Sequence, residues 1–139
     1  MILTRPYKVE DWFAVDDPIE PFASVAQDGL IEATTRGIGG SVMEDGKVMA
    51  CGGVAFLTDT TGVAWMRMSR LCKGKPFRWA RSIKVAFKLA LETLDDMDIY
   101  TYIIDGFCAG DRIARSCGLK MTDEYEEHNG NRYYKYVVK

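Results

Sequence analysis

The spacing of apolar and polar positions changes several times along the chain, and each change marks an element. Ile2 to Arg5 reads as a short strand stopped by Pro6. Glu10 to Asp16 reads as a short helix. Ile19, Phe22, Val25, Ala26, Leu30 and Ala33 fall near helical spacing and predict a second helical region over Pro18 to Arg36. Gly37, Gly39 and Gly40 end it. Ser41 to Glu44 and Lys47 to Leu57 then form a hairpin across Asp45-Gly46, because both turn residues tolerate the positive φ of a type I′ turn. Gly52-Gly53 within the second arm predicts a bulge or a close backbone approach. Val63 to Ser69 is the next strand.

The clearest helix runs from Pro76 to Asp96. Ala80, Ile83, Phe87, Ala90 and Leu94 make one apolar stripe, with Arg81 and Lys88 off it. Pro76 suits the first turn, where its missing N–H costs nothing. Asp98 to Ile104 is a strand, and Asp111 to Cys117 a short helix closed by Gly118. Lys120 to Glu127 and Arg132 to Val138 form a last hairpin across Asn129-Gly130. The resulting order, β-α-α-β-β-β-α-β-α-β-β, mixes alternation with hairpins and predicts an α/β (mixed α+β) sheet.

A length of 139 residues bounds the chain to one domain, 1–139. Its 47% apolar and 27% charged residues argue against disorder. No apolar run approaches a membrane span. Met1 to Pro6 is charged too early for a signal peptide. The four cysteines, Cys51, Cys72, Cys108 and Cys117, form no C-x-x-C pair, which argues against a zinc site or a secreted disulfide scaffold. They read as reduced thiols in a cytoplasmic protein, Cys108 as a small hydrophobe. With His128 the sole histidine, no multi-histidine metal site is expected, and a Ser-His-Asp triad is disfavoured.

Charge is unevenly placed. Val9 to Thr35 holds seven acids and no Lys or Arg. Thr60 to Leu91 holds no acid but eight cations: Arg67, Arg70, Lys73, Lys75, Arg78, Arg81, Lys84 and Lys88. Such a span suits an anionic ligand, or a solvated helix face paired with the acidic segment. Its centre is the junction Met68-Ser69-Arg70-Leu71-Cys72-Lys73-Gly74-Lys75-Pro76-Phe77-Arg78, where a strand ends and the long helix begins. Free N–H groups and the helix dipole make this an anion cradle suited to a pyrophosphate. Neither a Walker A loop nor a G-x-G-x-x-G fingerprint is present.

The element order and this loop resemble the GNAT superfamily of acyl-CoA-dependent N-acetyltransferases over nearly the whole chain. The resemblance implies a central mixed sheet of about seven strands with helices on both faces, and acetyl-CoA or coenzyme A as ligand. It places the family's pyrophosphate loop, Q/R-x-x-G-x-G/A, on Lys73-Gly74-Lys75-Pro76-Phe77-Arg78, with Pro76 and Arg78 where the family has small residues. Met68, Ser69 and Arg70 would then meet the thioester and pantetheine through their backbone. A second family motif, anchored on Gly118-Leu119, puts Phe107, Gly110 and Ala114 where the family has Asn, Ala and the Tyr that protonates the leaving thiolate. The family's frequent glutamate on the fourth strand has no counterpart in Val63 to Ser69. Arg5-Pro6, Ala64-Trp65-Met66 and the closing hairpin also resemble small GNAT-like internal virion proteins of short-tailed phages. That likeness implies phage virion partners and a place in the host cytoplasm or the virion.

Three side chains are candidates to move protons in place of the missing groups. Ser116 lies in the short helix, Asp105 ends the fifth strand, and Tyr102 alternates with Tyr100 on that strand. Each has a plainer reading, respectively a surface serine, a strand-end turn and hairpin packing. Trp65, Trp79, Met66 and Met68 read as core or cleft wall. His128 beside the Asn129-Gly130 turn reads as solvent-exposed. Nucleic-acid binding by the basic span with Phe77 and Trp79 is disfavoured by a pI of 5.4. A third class is a GNAT-shaped virion or interaction module without catalysis.

Overall fold

The computed structural model describes residues 2–16, 32–70 and 76–138, without the side chains at 2, 76–80, 82, 83 and 109. The described elements are β1 (Ile2–Pro6), α1 (Val9–Ala14), β2 (Gly37–Glu44), β3 (Lys47–Phe56), β4 (Thr61–Met68), α2 (Pro76–Thr93), β5 (Asp98–Ile104), α3 (Cys108–Ser116), β6 (Leu119–His128) and β7 (Asn131–Val138). The expected second helical region, Pro18 to Arg36, lies largely outside the described residues; the others follow the expected order.

One mixed sheet has the strand order β1-β2-β3-β4-β5-β7-β6. Its pairs are antiparallel except β4–β5. A parallel pair needs a long crossover, and α2 supplies it. Alternation along the strands sends side chains to two packed layers. On one face Ala50, Val54, Ala64, Met66 and Ile99 pack with Phe87 of α2 and with Ala114 and Cys117 of α3. On the other, Cys51, Ala55 and Trp65 pack with Trp12 of α1 and with Val15 and Ala33. Arg67 joins this second layer, donating to the Trp12 carbonyl at 2.8 Å and lying 4.9 Å from the Trp12 ring centre. Arg81, Lys84 and Lys88 are exposed on α2.

One local expectation is corrected and two are met. Gly37, Gly39 and Gly40 belong to β2 rather than to a helix terminus. Gly39 faces Gly53 and Gly40 faces Gly52 across β2–β3, so pairing overrides a local preference for turns. Pro6 is the last residue of β1, which stops there as expected. β1 is an edge strand, where a missing N–H need not break the ladder. Gly52 and Gly53 mark close approach, while the register breaks fall at Val42/Met43 and between Met121 and Tyr125. A Cβ on Gly53 would lie 2.1 Å from the Ile38 carbonyl oxygen. The two hairpin turns are as expected, with positive φ at Asp45, Gly46, Asn129 and Gly130.

A buried ionic cluster ties β1, α1 and β2 together. Asp11 is 2% exposed. It accepts from Arg5 Nη1 at 2.7 Å and Nη2 at 2.6 Å, from Ser41 Oγ at 2.7 Å and from the Lys8 N–H at 3.2 Å. Burial alone would raise the Asp11 pKa. The hydrogen bonds and the Arg5 charge outweigh it and hold the carboxyl below its ordinary value.

Two outcomes follow. Asp11→Ala should cost about 3 kcal/mol at neutral pH, because it leaves Arg5 and Ser41 without their acceptor. The Asp11 contribution is whole above the unfolded pKa of about 4 and is lost as pH falls through the lower folded value. Urea unfolding of wild type and variant should therefore show a gap that narrows only below about pH 4. Gly53→Ala should destabilise by at least about 2 kcal/mol in the same assay. Gly40→Ala, whose Cβ would sit 3.6 Å from the Arg5 carbonyl oxygen, should change stability by less than about 0.5 kcal/mol.

Candidate functional site

The site is a gap in the sheet. β4 and β5 pair only at Thr61↔Asp98, Gly62↔Ile99 and Val63↔Tyr100. Beyond that, β4 continues to Met68 and β5 to Ile104 without pairing to each other. The Asp98 N–H donates to Thr60 O on the β4 side, and the Ser69 N–H donates to Met49 O on the β3 side. This alternation turns the odd-numbered backbone groups of β4 to β3. It turns those of Ala64, Met66 and Met68 toward the gap.

The gap is a small cleft of about 50 Å³. Ala64, Trp65 and Met66 form one wall, and Thr101, Tyr102 and Ile103 the other. Phe87, Ile113, Ala114, Cys117 and Leu119 close it from the α2/α3 face. Phe107 and Gly110 complete that side, and Gly110 has no room for a side chain, since its Cβ would meet the Phe107 ring at 2.6 Å. Backbone polar groups therefore border a largely apolar slot. Such a slot can hold an extended chain bearing amides and align a carbonyl against N–H donors. A larger groove of about 400 Å³ lies between β1–β3 and the second half of α2, on the far side of Phe87 and Met66. It is lined chiefly by apolar groups and by backbone already paired between β2 and β3, so it offers little to a polar reactant.

Met68 and Ser69 are buried at the end of β4, and Arg70 is exposed just beyond. Lys73, Gly74 and Lys75 lie outside the described residues. Pro76, Phe77 and Arg78 form the first turn of α2, so the helix opens where the sequence places its anion cradle. Phe107, Gly110 and Ala114, matched to the second motif, all line the cleft. Tyr102 lines it as well. Burial, and then the neighbouring Glu126 carboxylate, raise the Tyr102 hydroxyl pKa above its ordinary value. Asp105 and Ser116 are exposed and are not among the cleft-lining residues, which fits their plainer readings as turn and surface residues. β4, Thr61–Met68, carries no acid.

Trp65 is both core and cleft wall. It is 4% exposed and packs its ring against Tyr7 and Trp12. Met66 and Met68 are buried, while the Trp79 side chain lies outside the description. Cys108 is exposed rather than a packed hydrophobe, because it opens α3 at the surface. Burial pushes the Cys117 thiol up to about 11 and the Cys51 thiol up to about 12, so neither is a thiolate nucleophile near neutral pH. Among the described residues no three His, Cys, Asp or Glu side chains gather as metal ligands. No helix among them is long and apolar enough to cross a membrane. His128 is exposed at the last turn, as expected. The cleft walls Thr101, Ile103 and Ile113 carried no sequence signal, because their shared position depends on strands that lie side by side without pairing.

No protein-family model and no curated protein sequence matches this chain. Solved structures do. An acetyltransferase from Streptococcus agalactiae superposes with a TM-score of 0.67 at 15% identity, covering 98% of each chain. A Bacillus subtilis acetyltransferase in complex with CoA gives 0.64 at 13% identity, covering 99% of this chain and 98% of that one. A GNAT family acetyltransferase from Elizabethkingia anophelis with acetyl-CoA bound gives 0.59 at 11% identity, covering 98% and 94%. At these identities the likeness is one of fold, and the fold is that of GNAT acetyltransferases. None of the three is described as a phage virion protein.

The cysteine environments give a direct check on the cleft. With Cys72 replaced by Ser, a thiol reagent should modify Cys108 in the native protein within minutes. Cys51 and Cys117 should stay unmodified until urea unfolds the chain. Mass mapping of the labelled peptides reads the result.

Proposed function

We propose that the chain binds an acyl-CoA, acetyl-CoA in the first instance, in the β4–β5 cleft and transfers the acyl group to an amine. One observation carries this reading. After three pairs the parallel strands part, and the backbone groups of Ala64, Met66 and Met68 face an apolar slot across which β5 is not paired to them. Pantetheine is an extended chain with two amides, and such a slot suits it. The fold shared with acetyltransferases, some with coenzyme bound, supports the same ligand.

Each part of the chain has a task in this reading. The backbone of Met66 and Met68 aligns the pantetheine and polarises the thioester carbonyl. The start of α2 holds the pyrophosphate through N–H groups, and Lys73 and Lys75, which precede it in sequence, and Arg78 supply charge. The proline at Pro76 removes one N–H donor there, so charge carries more of the grip. Phe87, Ile113 and Leu119 keep water from the reacting carbonyl. Acyl-CoA is a cytoplasmic metabolite, so the cytoplasm is the place of action.

A second reading keeps the cleft and drops the turnover. The absence of an acid on β4 and the alanine at Ala114 favour it. In that reading the chain is a GNAT-shaped binding protein, and phage virion proteins are its candidate partners.

Thermal unfolding with and without acetyl-CoA, on protein freed of carried-over ligand, tests the first reading. Ligand at 100 times its dissociation constant should add about 2.7 kcal/mol. That should raise the midpoint by about 8 °C. Replacing Lys73 and Lys75 together by Ala should remove most of the rise. No rise at millimolar acetyl-CoA overturns the first reading and leaves the second. A rise without thiol release in the presence of amines favours the second.

A further inference from the structure

Two cavities lie against one face of the sheet, and two side chains stand between them. The cleft of about 50 Å³ runs along β4 and β5. The groove of about 400 Å³ lies over β1, β2 and β3, beside the second half of α2. Among the described residues only Met66 and Phe87 line both. Val42 and Ala50 on the groove side and Ala64 and Ala114 on the cleft side belong to one packed layer with these two. Met66 pairs opposite Gly52 across β3–β4 and is 7% exposed. Phe87 is equally buried, and its ring reaches from α2 to β3. A Cβ on Gly52 would lie 3.2 Å from Phe87 Cε2 and 3.3 Å from Cζ. Gly52 lines the groove and not the cleft. The Phe87 ring is therefore a wall whose tip rests on β3, and Met66 completes it along β4.

We propose that Phe87 and Met66 set the length of the acyl group this protein accepts, holding it to acetyl or a chain of similar length. The proposal rests on the acyl-CoA reading and names its class of donor. In that reading the thioester carbonyl lies against the backbone of Met66 and Met68, so the acyl carbons lie beside the Met66 side chain. A methyl group asks for little space. Each further methylene drives the chain against Met66 or Phe87, with Ala114 and Cys117 packed behind them. These side chains sit in a close-packed layer, where added volume must displace neighbours. Past the wall lies the groove, which is lined chiefly by apolar groups and reaches solvent beside the exposed Ile38 and Leu89. It has the size and chemistry to hold a longer chain, and the wall alone withholds it. Selection here is by shape, because no charged group lines either side of the wall.

Binding of free coenzyme A and of its acetyl, butanoyl and octanoyl thioesters tests this, read by unfolding midpoint and by titration calorimetry. The proteins compared are wild type, Phe87→Leu and Met66→Ala. Both variants keep an apolar residue in the core, and their midpoints without ligand report whether they fold. Wild type should bind octanoyl-CoA at least about 10-fold more weakly than acetyl-CoA, with butanoyl-CoA between them. In either variant octanoyl-CoA should bind within about threefold of acetyl-CoA, with the affinity for free coenzyme A unchanged. A core residue without a part in selection would alter the midpoint and leave the order of the thioesters as it was. Equal binding of acetyl- and octanoyl-CoA by wild type would overturn the wall as a length limit, and so would folded variants that keep the wild-type order. Either result leaves the cleft standing as a coenzyme site. Failure of coenzyme A and all three thioesters to bind wild type removes the acyl-CoA reading and the limit together. If one variant does not fold, the other and the wild-type series decide the outcome.

Discussion

The candidate site depends on two neighbouring strands that stop pairing. A parallel pair costs a long crossover and returns hydrogen bonds along its length. Here β4 and β5 make the crossover through α2 and then pair over three positions only. They remain in one sheet because other interactions hold them. β3 pairs with β4 along most of its length, β7 pairs with β5, and Phe87, Ala114, Cys117 and Leu119 pack beneath the opening. The unpaired stretch is therefore a gap between two well-supported strands.

The two faces of the gap differ in chemistry. The face toward α2 and α3 is apolar and close-packed, with Phe87 set tightly enough against Gly52 that a Cβ there would meet its ring at 3.2 Å. The opposite face carries tyrosines, carboxylates, a lysine and the histidine over β5, β7 and β6. On the β1–β4 half of that same face, Trp12, Trp65 and the Arg5–Asp11–Ser41 cluster lock α1 to the sheet. The division places an apolar, close-packed surface on one side of the gap and polar, titratable side chains on the other.

Much of the fold was legible from residue order. The Asp45-Gly46 and Asn129-Gly130 turns, the stripe of α2 and the strand Asp98–Ile104 are set by local chemistry: positive-φ tolerance, helical periodicity and alternation. The errors have a common cause. Gly37, Gly39 and Gly40 look like a helix stop because glycine favours turns locally, yet their partners Ala55, Gly53 and Gly52 draw them into β2. Cys108 looks like a small hydrophobe in isolation, and only the exposed start of α3 makes it a surface thiol.

The site divides in the same way. Sequence alone determined the element order, the run of cations ending β4 and opening α2, and the lack of an acid on β4, because each is a property of neighbouring residues. It also brought forward Tyr102, through its alternation with Tyr100. Tertiary structure decided the rest: that β4 and β5 part after Val63↔Tyr100, and that Phe107, Gly110 and Ala114 face the opening. The physical reason is cross-strand register. A strand's own pattern shows which of its residues share a face, but which residue of another strand stands opposite is set by pairing, and here by two breaks in that pairing, at Val42/Met43 and between Met121 and Tyr125.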